Sequence, residues 1–160
     1  YRQLVPIQPP GTLEGGDLLR SGRVIYAGLS TRANEHGVGQ LRDILASNGY
    51  TVKGVETAQC LHLKSAVTEV APVTLLINPD WVNPATFADY ELIEVDPGEP
   101  HAANALRVGP GVIYSTSFPR TLEKLLARGV DVTPVEATEL QKAEGGVTCC
   151  SLVLNTPASR

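Results

Sequence analysis

A strand–strand–helix–strand unit can be recognised in ALRVGPGVIYSTSFPRTLEKLLARGVDVTPVE, residues 105–136. Two apolar segments flank a Gly-Pro-Gly turn, as the two strands of a β-hairpin do. The following residues, Thr121–Arg128, favour a helix that ends at Gly129, and residues 130–136 favour a third strand. The sequence therefore predicts one α/β unit in this region.

The same order of elements occurs twice before this unit. The predicted elements lie at residues 18–29 (hairpin), 33–47 (helix) and 50–55 (strand), and again at 65–78, 83–88 and 91–95. Residues 147–155 resemble the opening strand of a fourth unit. We therefore predict a single α/β domain, residues 1–160, made of three strand–strand–helix–strand units plus a final strand.

Composition and charge exclude several classes of partner. The chain has 160 residues, 42% of them hydrophobic and 19% charged, which are ordinary values for a globular protein. The net charge is -4 and no run of Lys and Arg occurs, so nucleic acid and anionic membranes are poor candidates for partners. No apolar stretch approaches the roughly 20 residues of a membrane helix. Three cysteines, two of them adjacent, do not suggest a disulfide framework and, with no secretory segment, favour the cytoplasm.

The beginning of the chain is unusual for a complete gene product. The sequence contains no methionine, and its first residues, Tyr1–Pro6, resemble a strand entering a loop. A ring of such units would also need more than three of them to close. We therefore expect this chain to be a piece of a longer protein whose N-terminal part is missing.

Four short polar runs recur at intervals of 42–48 residues, each just before a predicted strand. The runs are Leu13–Asp17, Leu61–Lys64, Pro100–Asn104 and Gly145–Cys150. Equivalent points of repeated units can converge on one axis, so we expect these runs to meet. They would bring together the carboxylate of Glu14, the imidazole of His62 and the thiol of Cys149. These three groups are typical of nucleophilic catalysis by cysteine.

Each of these residues also has a purely structural explanation. Cys149 and Cys150 could be small core residues on opposite faces of a strand, and His62 could be a packing residue between two leucines. Glu14 lies in a Glu-Gly-Gly-Asp sequence that could serve a tight turn. Arg32 is either a solvated surface charge or a bidentate clamp for a carboxylate.

A metal site is a weaker alternative. Cys60, His62 and Cys149 together offer soft ligands that zinc accepts. Structural zinc sites usually present ligand pairs two to four residues apart on both arms. Here the second arm is the adjacent pair Cys149-Cys150, which is a poor chelate, so we disfavour zinc.

Four motifs, taken together, indicate a protein family more specifically than their spacing does. They are Leu13–Asp17, Gly28–Asn34, Leu61–Ser65 and Gly146–Ser151. In this order and at these separations they resemble the dimethylarginine dimethylaminohydrolases, a family of the guanidino-group-modifying (pentein) superfamily. The resemblance covers nearly the whole chain but only about the C-terminal three-fifths of the family's usual length. It implies a five-bladed α/β propeller of which about three modules are present.

The resemblance also implies a role for individual residues. Cys149 is similar to the family's nucleophile, His62 to its general acid and base, and Glu14 to the carboxylate that completes the triad. Substrate contacts are expected from Arg32, which would hold the α-carboxylate, from the backbone near Ala143, and from Asp17. The implied reaction converts dimethylated arginine to citrulline and dimethylamine through a covalent thiouronium intermediate, and it needs no metal or organic cofactor.

The resemblance leaves the partner and the reaction partly open. The family's N-terminal modules supply acidic residues for the guanidinium, so a complementary N-terminal chain or a homo-oligomer would be needed to complete the site. Open strand edges would favour such a partner. Arginine deiminase or amidinotransferase activity would use the same cysteine chemistry. A non-catalytic fragment that acts in assembly or ligand binding is a further alternative.

Overall fold

The computed structural model describes residues 4–143 and 145–153, which contain three three-stranded β-sheets built to one plan. In each sheet the first two strands pair antiparallel as a hairpin. The third strand returns parallel to the second, which requires a crossover connection between them. The three predicted strand–strand–helix–strand units are therefore confirmed.

The first unit agrees with the prediction to within two residues at each boundary. It consists of β1 (Leu18–Ser21), β2 (Val24–Leu29), helix α1 (Glu35–Ala46) and β3 (Thr51–Glu56). Helix α1 begins after Asn34, whose side-chain oxygen accepts a hydrogen bond from the Gly37 amide at 2.9 Å. This N-cap satisfies one of the amides that the first turn of a helix leaves unpaired.

The second unit departs from the prediction at its start. It consists of α2 (Leu63–Ala66), β4 (Val67–Ala71), β5 (Thr74–Ile77), a 3-10 turn (Pro84–Phe87) and β6 (Glu91–Glu94). The strand expected from Ser65 begins at Val67, because the preceding residues form a helical turn that buries Leu63 and Ala66 completely. The short helix expected in the crossover is a single 3-10 turn.

The third unit consists of β7 (Leu106–Val108), β8 (Gly111–Ser115), helix α3 (Pro119–Ala127) and β9 (Val132–Val135). A further short helix that the sequence did not predict, α4 (Thr138–Lys142), follows it. The longest of these helices, α1, has 12 residues. Within residues 4–143 and 145–153, no helix has the length and apolar character needed to cross a membrane.

The predicted final strand is not formed in the part of it that the structure describes. Residues 147–150 form turns, residues 151–153 belong to no helix or strand, and residues 154 and 155 lie outside the described residues. Backbone amides in this segment bond locally, from Cys149 to the Gly146 carbonyl at 2.9 Å and from Ser151 to the Thr148 carbonyl at 3.3 Å. Amides used in this way cannot also pair in a sheet.

The opening strands of the three units lie side by side, with β1 next to β4 and β4 next to β7. One core cluster joins the first two units, where the rings of Tyr26 and Phe87 lie 4.9 Å apart. A second cluster joins the second and third units around Leu76 and Tyr114. This packing brings the segments that precede each opening strand to one region of the molecule.

Candidate active site

Glu14 and His62 form the closest contact between predicted site residues. Glu14 Oε2 lies 2.7 Å from His62 Nε2, although the two residues are 48 positions apart in sequence. Glu14 precedes the 3-10 turn Gly15–Asp17, and His62 immediately precedes α2. A Cβ atom on Gly16 would lie 2.6 Å from the imidazole, so only glycine lets this turn approach the ring so closely.

Arg32 contacts the same carboxylate from the other side. Its Nη1 lies 3.2 Å from Glu14 Oε1, and its side chain is 53% exposed. The hydrogen bond from His62 is the main cause that lowers the pKa of the Glu14 carboxyl, and Arg32 adds a smaller effect in the same direction. Since a partly exposed ion pair is worth little energy, Arg32 can exchange this contact for the carboxylate of a ligand.

Asp17 lies beside these residues but is fully buried. Its carboxylate accepts hydrogen bonds from the Leu63 amide at 3.0 Å and from the Ser30 hydroxyl at 2.9 Å. Both contacts are internal, and the expected contact of Asp17 with a substrate stays a prediction. The contact with Leu63 ties Asp17 to the residue that follows His62.

Cys149 is exposed and lies in the turn that replaces the predicted strand. Its Sγ accepts a hydrogen bond from the Gly146 amide at 3.3 Å, whereas Cys150 Sγ donates to the Val147 carbonyl at 3.6 Å. The two thiols therefore differ in environment even though both are exposed. The Gly146 amide thus holds the Cys149 sulfur at a defined position in the turn.

A half-buried lysine lies near this thiol. Burial lowers the pKa of Lys64, and the negative charges of Cys149 and Asp17 oppose that effect. Cys149 is thus within electrostatic range of a residue only two positions after His62. Within the described residues, no hydrogen bond joins Cys149 directly to His62 or Glu14.

Asn104 connects the thiol segment to the histidine segment. Its Nδ2 donates to the Lys64 carbonyl at 3.1 Å and to the Thr148 hydroxyl at 2.8 Å, and its Oδ1 accepts from the Thr148 amide at 3.1 Å. The run containing Asn104 was one of the four evenly spaced runs, but we assigned it no role from sequence. An amide has no reactivity that would have singled it out.

Ala143 lies at the C-terminal end of α4, where its amide donates to the Leu140 carbonyl at 3.1 Å. The described hydrogen bonds do not join it to Glu14, His62 or Cys149. The next residue, Glu144, lies outside the described residues. The expected contact of the Ala143 backbone with a substrate therefore stays a prediction.

A cleft of about 490 Å³ opens beside these segments. Cys60 and Leu61, next to His62, line one side, and residues 145–147, next to Cys149, line another. Burial raises the pKa of the Cys60 thiol to about 11, so it stays protonated at neutral pH. Within the described residues, no three His, Cys, Asp or Glu side chains are grouped so that they could hold a metal ion.

Comparison with known proteins places the chain in a family. No protein-family model matches it. It is 36% identical over 146 residues to the N(G),N(G)-dimethylarginine dimethylaminohydrolase of Pseudomonas aeruginosa, a match that covers 91% of this chain and 58% of that protein. It is 37% identical to the protein of the same name from Streptomyces coelicolor, covering 91% of this chain and 55% of that one.

A solved structure supports the same relationship. The Pseudomonas aeruginosa protein, as a cysteine-to-serine mutant complexed with citrulline, superposes with a TM-score of 0.83 at 35% identity. The superposition covers 89% of this chain and 56% of that one. The chain thus spans a little more than half the length of the relatives that it matches. It belongs to the dimethylarginine dimethylaminohydrolase family of the pentein superfamily.

Proposed function

We propose that this chain carries the nucleophile, the general acid and base, and the α-carboxylate clamp of a dimethylargininase. Such an enzyme hydrolyses dimethylated arginine to citrulline and dimethylamine. The observation that supports this most directly is the 2.7 Å contact between Glu14 and His62, formed across 48 residues of sequence. A carboxylate that orients an imidazole near a reactive thiol is the arrangement that nucleophilic cysteine catalysis needs.

The first half of the proposed reaction is attack by the Cys149 thiolate on the central carbon of the guanidinium. A bond forms between Sγ and this carbon, and the bond to dimethylamine breaks. His62 donates a proton to the departing amine, and Glu14 stabilises the imidazole through the Nε2 contact. The product of this half is a thiouronium group linked to Cys149.

The second half is hydrolysis of that adduct. His62, now neutral, takes a proton from water as the water attacks the same carbon. The bond to Sγ breaks, the carbon keeps the oxygen, the second proton of the water passes to solvent, and citrulline leaves with the thiolate regenerated. Throughout, Arg32 would bind the α-carboxylate of the substrate, and the backbone near Ala143 would lie beside its amino acid end.

The guanidinium itself needs acidic partners that the cleft does not offer. None of the described residues that line the cleft is an aspartate or a glutamate. We propose that a complementary N-terminal chain or a second copy of this chain supplies them. A cytoplasmic location is also a prediction, for which cysteine usage is the support.

The experiment that tests this function is citrulline release from asymmetric dimethylarginine. It compares the 160-residue chain with a chimera that adds the N-terminal segment of the Pseudomonas aeruginosa relative. In whichever form is active, Cys149→Ser should reduce kcat by at least about 10³-fold, whereas the matched control Cys150→Ser should change it by less than about threefold. Release of ammonia instead of dimethylamine would indicate a deiminase. No release by either form, or equal losses from both substitutions, would contradict the proposal.

A further inference from the structure

We propose that Asn104 is a positioning residue for the Cys149 thiol. Its side-chain amide joins the residue before the thiol to the segment that carries His62, and so sets the two reactive segments relative to each other. This inference rests on the proposed function for its catalytic meaning. Its geometric part, the placement of the thiol, can be tested without turnover.

The amide of Asn104 uses three of its four hydrogen-bonding positions in these contacts. Both Nδ2 protons are donated, to the Lys64 carbonyl and the Thr148 hydroxyl, and Oδ1 accepts from the Thr148 amide. The reversed amide would set its oxygen against the Lys64 carbonyl and its NH2 against the Thr148 N–H. The surroundings therefore fix one orientation of a side chain that is only 9% exposed.

Three polar side chains, Asp17, Thr68 and Asn104, each form hydrogen bonds to the segment just before or at the start of the next unit along the chain. Asp17 accepts from the Leu63 amide, at the start of the second unit. The Thr68 hydroxyl donates to the Ala103 carbonyl at 2.6 Å and accepts from the Ala105 amide at 3.1 Å, on either side of Asn104. Asn104 is thus itself held in place, and its own target is the residue next to the thiol.

Close packing against Gly146 couples Asn104 to the sulfur. A Cβ atom on Gly146 would lie 2.5 Å from the Asn104 amide carbon and oxygen, so the two residues are in contact with no space for a side chain. The Gly146 amide is also the donor to Cys149 Sγ at 3.3 Å. Removing the Asn104 amide would free Gly146 to move and would weaken this hydrogen bond, which holds Sγ in place.

The experiment measures the alkylation rate of Cys149 by iodoacetamide at neutral pH, read from its peptide by mass spectrometry. In the 160-residue chain, Asn104→Ala should slow the reaction by about fivefold or more, the effect of losing one hydrogen bond to the reacting sulfur. Thr148→Val should slow it in the same direction, and Thr148→Ser should restore the wild-type rate. Cys150 in the same samples should keep its rate.

Asn78 provides a matched control for a general loss of stability. It is a buried asparagine whose Nδ2 donates to the Pro100 carbonyl at 2.8 Å and whose Oδ1 accepts from the Asp80 amide at 3.0 Å. Asn78→Ala should leave the Cys149 rate within about twofold of wild type. An unchanged rate in Asn104→Ala, or the same slowing in Asn78→Ala, would overturn the proposal. If Asn104→Ala does not fold, the comparison of Thr148→Val with Thr148→Ser decides the question.

In whichever form of the protein releases citrulline, the kinetics of the same variants show whether Asn104 positions the thiol or binds the substrate. Asn104→Ala should lower kcat by about tenfold or more with KM changed by less than about threefold, because Lys64 and Thr148 already use three of the four hydrogen-bonding positions of its amide. A rise in KM at unchanged kcat would contradict the positioning role. A failure of citrulline release in every form would contradict the proposed function alone, since the alkylation rates would still report on the thiol.

Discussion

At the scale of single residues, the site depends on how the Glu14 carboxylate is shared between His62 and Arg32. The carboxylate meets His62 at 2.7 Å and Arg32 at 3.2 Å, and each contact uses a different oxygen. The histidine contact is shorter and has the larger effect on the carboxyl pKa. Glu14 is therefore chiefly a partner of His62, and Arg32 keeps donors that a ligand can use.

The lowered pKa of Glu14 predicts how this contact responds to acid. Because the folded value lies below the ordinary value of 4.5, the stabilisation from the pair is complete above pH 4.5 and is lost as the pH falls through the folded value. In a carboxyl-carbon NMR titration, His62→Ala should move the Glu14 midpoint upward, and Arg32→Gln should move it upward by less. A midpoint that His62→Ala does not change would contradict the hydrogen bond as its cause.

At the scale of elements, the site residues are positioned by the turns that precede the opening strands rather than by the strands themselves. Leu63, at the start of α2, is fully buried, and its amide is satisfied by the Asp17 carboxylate. A buried amide left without a partner costs about 1–3 kcal/mol. The position of His62, one residue earlier, is thus tied to a side chain of the preceding unit.

Substitution of Asp17 tests this link between units. Asp17→Ala should destabilise the chain by about 1–3 kcal/mol in urea unfolding and lower kcat, because it leaves the Leu63 amide unpaired. Asp17→Asn should be milder, since its amide oxygen can still accept from Leu63. If Asp17→Asn raised KM while Asp17→Ala left stability unchanged, a direct substrate contact would be the better explanation.

The departures from the sequence-based prediction also occur at these turns. Periodicity and turn residues predicted α1 and all nine strands, because these elements depend on local pattern. The sequence could not reveal that the Leu63 amide meets Asp17, or that Thr148 meets Asn104, since both contacts join residues more than 40 positions apart. A helical turn therefore replaced the first residues of one predicted strand, and turns replaced residues 147–150 of the last.

The dependence on contacts between distant residues also explains which site residues the sequence predicted and which it did not. Even spacing and residue chemistry singled out Glu14, His62 and Cys149, and the structure brings Glu14 to His62. Asn104 was in an equally spaced run, but its function lies in the geometry of its amide rather than in reactivity. The burial of Asp17 and its hydrogen bond to the Leu63 amide likewise depend on the fold and could not be predicted from its sequence position.

At the scale of the whole molecule, the units are held together by buried side chains that cross between them. Tyr26 belongs to β2 of the first unit, and Phe87 lies in the 3-10 turn of the second. Both are almost completely buried, with ring centroids 4.9 Å apart at a tilt of 52°. This contact keeps the Glu14 turn and the His62 turn on adjacent, packed units.

A substitution at this junction should therefore affect the whole chain. Phe87→Ala should lower the free energy of unfolding by about 3–5 kcal/mol, the cost of emptying a buried aromatic site. Leu126→Ala, at a side chain that is 54% exposed in α3, is the control and should change it by less than about 0.5 kcal/mol. Urea denaturation of both variants measures this. Equal midpoints for Phe87→Ala and wild type would mean that the first two units do not unfold together.

Identification of the covalent intermediate tests most directly whether Cys149 is the nucleophile. The 160-residue chain and the chimera are incubated with asymmetric dimethylarginine, quenched in acid and mapped by peptide mass spectrometry. We predict an added mass equal to the substrate less dimethylamine, on Cys149 alone, in at least one of the two forms. The adduct should be absent from Cys149→Ser and retained in Cys150→Ser. An adduct on Cys60 or Cys150, or none on Cys149 in either form, would contradict the assignment of Cys149 as the nucleophile.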